Sequence, residues 1–291
     1  MRVAGRRLGY TVIRDGPASP VPDLTFPPDI VWSDPAGPRS HFSGVRLNLD
    51  EQLDFIRHSL RPYVDEFEPE VRGTGFELWN SLFQAGDAEI LYALVRHLKP
   101  ARILEIGSGN STLVSAAGVR ANRRDGARTE LVAIDPGPPV EVGDWIDGLT
   151  RYERADCRKV PIERFEELES GDMLFIDTTH VVKLGSEVNY LVLEVLPRLA
   201  PGVWVHFHDI FLPHEYPSYM FWGWYSNEQY LVHAFLIGND DWTIELALAA
   251  LFIERHDQLV ELLPSLGEQV PGATDLRTWL PSSLWIRRRP A

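Results

Sequence analysis

The sequence predicts an α/β protein, a doubly wound and mostly parallel sheet with helices on both faces, behind an irregular, partly helical N-terminal extension. Three observations carry this. From Gly86 onward, short apolar runs alternate with segments of helical periodicity. Those runs read as near-continuous hydrophobic strands, as strands buried on both faces do. Several end in a carboxylate, and one passes directly into Gly107-Ser108-Gly109.

The extension comes first. Residues 16–38 hold seven prolines, which remove backbone donors and fix φ, so the segment reads as an extended arm. Asn48 with Glu51 three residues on suggests a capping-box start for a helix, with Leu53, Ile56 and Leu60 on one face. Pro62 is expected to stop or kink it. Residues 1–85 form this extension, and residues 86–291 the main domain.

In the main domain Asp87 is expected to cap a helix that buries Ile90, Leu91, Leu94 and Leu98. Arg102–Ile106 reads as a strand, followed by a helix from about Ser111. Leu131–Ile134 and Met173–Ile176 read as strands ending at Asp135 and Asp177. A helix is expected over Glu187–Leu199, with Val188, Leu191, Val192 and Val195 inward, and then a strand over Val203–Asp209. Thr243–Leu248 and Ser283–Ile286 are candidate closing strands.

Composition narrows the function. The chain has 291 residues, 44% hydrophobic and 24% charged, which excludes a mostly disordered protein. Its net charge of −14 argues against nucleic acid or an anionic membrane as partner, because phosphate binding needs clustered cations. Cys157 is the single cysteine, so neither an intrachain disulfide nor a cysteine-based zinc site can form. Met1–Tyr10 lacks the apolar run of a secretory signal, and Leu246–Ile253 is too short to span a bilayer. The expectation is a soluble, cytoplasmic protein.

The strongest local signal is Ile103-Leu104-Glu105-Ile106-Gly107-Ser108-Gly109-Asn110-Ser111-Thr112. Glycines between a buried strand and a helix let the backbone turn sharply and approach a ligand at the sheet's carboxyl edge. A dinucleotide site wants a third glycine where Thr112 stands. Glu105, facing a ligand at the strand end, suits a cofactor carrying an ammonium or sulfonium. Asp135 could accept the hydroxyls of a ribose, and Asp156 lies within reach of a base amino group.

Leu104-Glu105-Ile106-Gly107-Ser108-Gly109 resembles the first motif of class I S-adenosylmethionine-dependent methyltransferases. Ile176-Asp177-Thr178-Thr179-His180 and Val203-Trp204-Val205-His206-Phe207-His208-Asp209-Ile210 resemble the small-molecule branch that includes macrocin-type O-methyltransferases and cephalosporin-hydroxylase-like proteins. The resemblance implies a Rossmann-like, seven-stranded sheet of order 3-2-1-4-5-7-6 with the last strand antiparallel. It implies S-adenosylmethionine as cofactor, held by Glu105, Gly107, Ser108, Gly109, Ser111 and Thr112, with Asp135 on the ribose and Asp156 on the adenine. It also implies a divalent metal on Asp177 and Asp209, with His208 where the family often has another acid. Imidazole suits a softer metal than magnesium. A metal-free reading uses His180 or His208 as general base.

Seven aromatics between Glu215 and Tyr230 could wall a small-molecule acceptor, pack against the extension, or form a contact between two copies of the chain. The leading expectation is O-methylation of a small-molecule hydroxyl, on a sugar or secondary metabolite. The alternatives are an NAD-linked oxidoreductase and a non-catalytic cofactor binder.

Overall fold

A computed structural model describes residues 43–138, 140–217, 220, 225–268 and 280–290. The proline-rich arm and the aromatics Tyr219, Phe221, Trp222 and Trp224 lie outside the described residues.

Seven strands form one sheet: β1 Arg102–Ile106, β2 Glu130–Ile134, β3 Arg151–Glu153, β4 Met173–Ile176, β5 Trp204–Phe207, β6 Trp242–Ala247 and β7 Leu284–Arg288. Their order is β3-β2-β1-β4-β5-β7-β6, the order that the resemblance implies. β1 to β5 pair in parallel, while β7 runs antiparallel to both neighbours. The strand order reverses beside β1 and β4, so ligands are expected at the carboxyl ends of those two strands.

The helices are α1 Leu49–Phe55, α2 Arg61–Val71, α3 Asp87–Leu98, α4 Asn110–Arg124, α5 Glu163–Glu166, α6 Glu187–Tyr190, α7 Glu228–Leu236, α8 Leu248–Glu254 and α9 His256–Leu262. Leu53, Ile56, Leu60, Val64 and Phe67 are buried in the same core as the strands. Among the described residues no helix is long and apolar enough to cross a membrane.

Four local expectations change. Asn48 does not cap α1: it sits at φ 51 with no side-chain bond to the helix. Gln52 does the joining instead, its amide donating to the Leu47 carbonyl and its oxygen accepting from Ala247 N in β6. Pro62 does not end the helix. A π-turn, Ile56–Leu60, places it in the first turn of α2, where its missing N–H leaves no bond unmade.

Gly86, not Asp87, is the N-cap of α3, and the Glu89 carboxylate accepts from Gly86 N. The helix expected over Glu187–Leu199 is α6 followed by a π-turn, Leu191–Val195, and a 3₁₀ turn, Leu196–Arg198. Pro197 carries no N–H, so a regular α ladder cannot pass through it. The apolar face survives, with Val188, Leu191, Val192 and Val195 fully buried.

Candidate active site

The glycine turn is fixed by main-chain bonds. Gly107 N donates to Ile134 O (3.0 Å) and Asp177 N to Ile106 O (2.9 Å), so β1 stays laddered to both neighbours up to the turn. Gly107 has φ +85, and a Cβ there would stand 1.7 Å from the Asp177 carbonyl oxygen. Only glycine fits. The Asp135 carboxylate accepts from Ser108 N (2.9 Å) and Gly137 N (2.6 Å), tying the turn to the end of β2. Each of its oxygens keeps a lone pair for a further donor. Thr112 Oγ1 accepts from Gly109 N (3.0 Å) at the start of α4.

Glu105 is wholly buried beneath this turn. Its Oε1 accepts from the Ser111 hydroxyl (2.6 Å), while Oε2 has no hydrogen-bond partner. Burial pushes its carboxyl up to about 8, with Asp177 and Asp135 adding to the rise and the Ser111 and Thr112 hydroxyls opposing it. A buried carboxylate with a bare oxygen and no cation beside it is costly. The site therefore fits a cofactor that brings a positive charge.

Asp156 lies elsewhere in its bonding. It caps the turn Cys157–Lys159 by accepting from Arg158 N, and it pairs with the Arg158 side chain. Its neighbour Cys157 is buried, which pushes the thiol up to about 12. Cys157 should react with a disulfide reagent at pH 8 at least ~100-fold slower than free cysteine, since so little thiolate is present. Timed thiol titration of folded and unfolded protein checks this.

The acids and histidines come together at the ends of β4 and β5. His180 and Asp209 both adopt left-handed backbone, φ 58 and φ 56, a conformation costing about 1–2 kcal/mol in a residue with a Cβ. The turn at Asp209 ends the strand alternation and swings its carboxylate back toward Asp177. His180 Nε2 lies 3.2 Å from Asp177 Oδ1 and 3.5 Å from Asp209 Oδ2. His208 Nδ1 lies 3.8 Å from Asp177 Oδ1 and 3.6 Å from Asp209 Oδ1. Its Nε2 is 3.5 Å from Asp87 Oδ2. His206 is different: it stacks on Phe175 at 3.9 Å and bonds Ser283, a core histidine.

The charges follow. Burial opposes ionisation of Asp177, yet the cations of His208 and His180 overcome it and hold the carboxyl at about 2. Burial lowers His208, but Asp177, Asp209 and Asp87 raise it to about 9. Burial likewise lowers His180, and its bonds to Asp177 and Glu228 raise it well above the usual range. The surrounding carboxylates thus favour the protonated, donating form of both rings over the free base that an unperturbed histidine offers near neutrality.

His180 and His208 face Asp177 Oδ1 and the two Asp209 oxygens at 3.2–3.8 Å, and Asp87 faces His208 Nε2. Among the described residues no three His, Cys, Asp or Glu side chains are arranged to hold a metal ion. The metal that the resemblance implies on Asp177, His208 and Asp209 gains no support from this arrangement.

Sequence reasoning missed four contributors. Asp87 reaches from α3 to accept from Ser282 N and Ser283 N as well as facing His208. Glu228 bonds His180 Nδ1 at 2.9 Å. Asn80 accepts from the Asn110 amide at the glycine turn (2.9 Å), and Phe83 packs on His208 with ring centroids 5.1 Å apart. A cavity of about 790 Å³, lined by Arg123, Arg128 and Trp145, lies at the opposite end of α4 and holds none of these residues.

The strand order, the strand-end glycine turn and the buried acid define the Rossmann-like fold that class I methyltransferases use. Residues 104–210 match a family model described as a methyltransferase domain. An uncharacterized protein of Archaeoglobus fulgidus is 31% identical over 139 residues, 44% of this chain and 60% of that one. The chain thus spans less than two thirds of that relative's length. Among solved structures, CmcI with SAH matches at 13% identity and a TM-score of 0.38, covering 74% of this chain and 83% of that one. An O-methyltransferase from Bacillus cereus in complex with SAH matches at 14% identity and a TM-score of 0.33, covering 78% and 91%.

Proposed function

We propose that the protein is an S-adenosylmethionine-dependent O-methyltransferase acting on a hydroxyl of a small molecule. The observation that carries this is the buried Glu105 carboxylate, with Oε2 bare at the end of β1 inside a methyltransferase-domain match. When bound, the cofactor supplies an activated methyl on a sulfonium. Glu105 would take the cationic amino acid end, the Gly107–Gly109 turn would let the main chain approach it, and Asp135 would receive the ribose hydroxyls. Asp156 would have to release Arg158 to reach a base, so its part in the site depends on that exchange.

The chain's remaining work is alignment and proton removal. Fixing acceptor and methyl in line can lower the barrier by several kcal/mol. Asp177, held ionised by the His208 and His180 rings, would accept a hydrogen bond from the acceptor hydroxyl, with Asp209 across the gap. His180 or His208 would serve as general base only from its neutral ring, after its own proton has left to solvent water. That ring nitrogen would then take the acceptor's proton as the O–CH3 bond forms and the S–CH3 bond breaks, a contribution of roughly 10²–10⁴-fold.

Calorimetry with S-adenosylhomocysteine (SAH) and with NAD tests the cofactor. SAH is expected to bind and NAD not; binding of NAD alone, or of neither, overturns the reading. Once an acceptor is in hand, His208→Ala should cut turnover by roughly 10²-fold or more, with SAH affinity within about threefold of wild type. Joint loss of both would make His208 a structural residue.

A further inference from the structure

We infer that Glu228 is a positioning residue that holds the His180 ring so that Nε2 faces the gap between Asp177 and Asp209. This rests on the reading above, in which that gap receives the acceptor hydroxyl.

The fold already anchors the start of α7 without the Glu228 side chain. The His180 carbonyl accepts from Asn227 N (2.9 Å) and Glu228 N (3.1 Å). The Asn227 side chain accepts from Val182 N. These bonds clamp the helix to the loop after β4 through main chain and Asn227 alone. The Glu228 carboxylate is left with one partner, the His180 ring at Nδ1 (2.9 Å), and its Oε1 is buried with none. It is 1% exposed. A buried carboxylate whose second oxygen is bare costs stability, and here its one bond fixes the rotation of an imidazole.

That rotation matters because the two ring nitrogens are not equivalent. With Nδ1 engaged by Glu228, Nε2 is the atom left to face Asp177 and Asp209. Asp87 makes an instructive contrast. It touches His208 on the far side in the same way, but it also accepts main-chain bonds from Ser282 and Ser283 that join α3 to β7. Removing Asp87 would break the fold's own bonds, whereas removing the Glu228 carboxylate releases only the ring.

The test is nuclear magnetic resonance of full-length protein labelled with ¹⁵N-histidine, free and with SAH added, with His180→Asn used to assign the signal. Wild type is expected to show a His180 ring N–H proton protected from solvent exchange. Glu228→Ala should speed its exchange at least ~10-fold, in line with loss of a hydrogen bond to a charged group. Glu228→Gln should restore the protection, since its amide oxygen can accept from Nδ1–H. The amide spectrum outside the His180 loop and α7 should stay in place.

Four results would overturn the inference: no protected His180 proton in wild type, protection that survives Glu228→Ala, failure of Glu228→Gln to restore it, or collapse of the whole spectrum in Glu228→Ala. If wild type fails to bind SAH, the cofactor assignment falls while the ring signal of the free protein still decides the role of Glu228.

Discussion

Replacing Glu105 with Gln is expected to weaken SAH binding by roughly 30–100-fold, the size of a lost charge-assisted bond of about 2–3 kcal/mol, while making the protein more stable above neutrality. The two effects have one cause. The carboxyl is wholly buried and held up at about 8, so between its usual 4.5 and about 8 the folded protein carries a proton that the unfolded chain has lost. Where the folded state binds more protons, stability falls as pH rises. The slope for one such group is at most about 1.4 kcal/mol per pH unit. Gln cannot ionise, so it removes that loss. The stability gap between Glu105→Gln and wild type should widen from acid to mildly alkaline pH and then level off. Urea unfolding of both proteins across that range measures it, and a gap that does not change with pH would refute the burial argument.

Gly107→Ala carries the second large effect. The residue lies at φ +85, and its Cβ would stand 1.7 Å from the Asp177 carbonyl oxygen. Neither side can yield cheaply. Gly107 N is bonded to Ile134 O and Asp177 N to Ile106 O, so moving either strand breaks the central ladder. A loss of about 3 kcal/mol or more is expected, as for other strained and overpacked buried positions. Cofactor binding should go with it, because the main chain of this turn is the proposed binding surface. Gly137→Ala is the control: its Cβ would meet nothing within 4 Å and its φ is not in the left-handed region. It should change stability by less than ~0.5 kcal/mol. Equal losses at the two positions would mean that the turn is not sterically confined.

These residues also show what could be read from the chain before it folds. The glycine turn was legible because strand, turn and helix are contiguous, and contiguous sequence carries its own geometry. The sheet order followed from the methyltransferase resemblance and is the order found. The ends of β4 and β5 were legible too, since Asp177, His180, His208 and Asp209 close recognisable strands.

Long-range partners were not. Glu228 meets His180 across 48 positions and Asp87 meets Ser282 across 195, and nothing local marks either acid as buried. The charge state of the histidines was hidden for the same reason. A histidine read alone has its ordinary affinity for protons; these two are surrounded by Asp87, Asp177, Asp209 and Glu228, brought together by four separate segments. Helix ends failed where a side chain had a better partner than its own helix. Asn48 turns left-handed and Asp87 spends its carboxylate on β7's approach.

The central claim is that Glu105 is the counter-charge for a cationic cofactor, and a proton count tests it most directly. Titrating SAH into wild type by calorimetry, at about pH 7 in buffers of different ionisation enthalpy, should show close to one proton released per SAH bound, falling toward none above about pH 9 as Glu105 ionises on its own. Glu105→Gln should release none and bind far more weakly. Binding without proton release, or equal affinity in Glu105→Gln, would contradict the account.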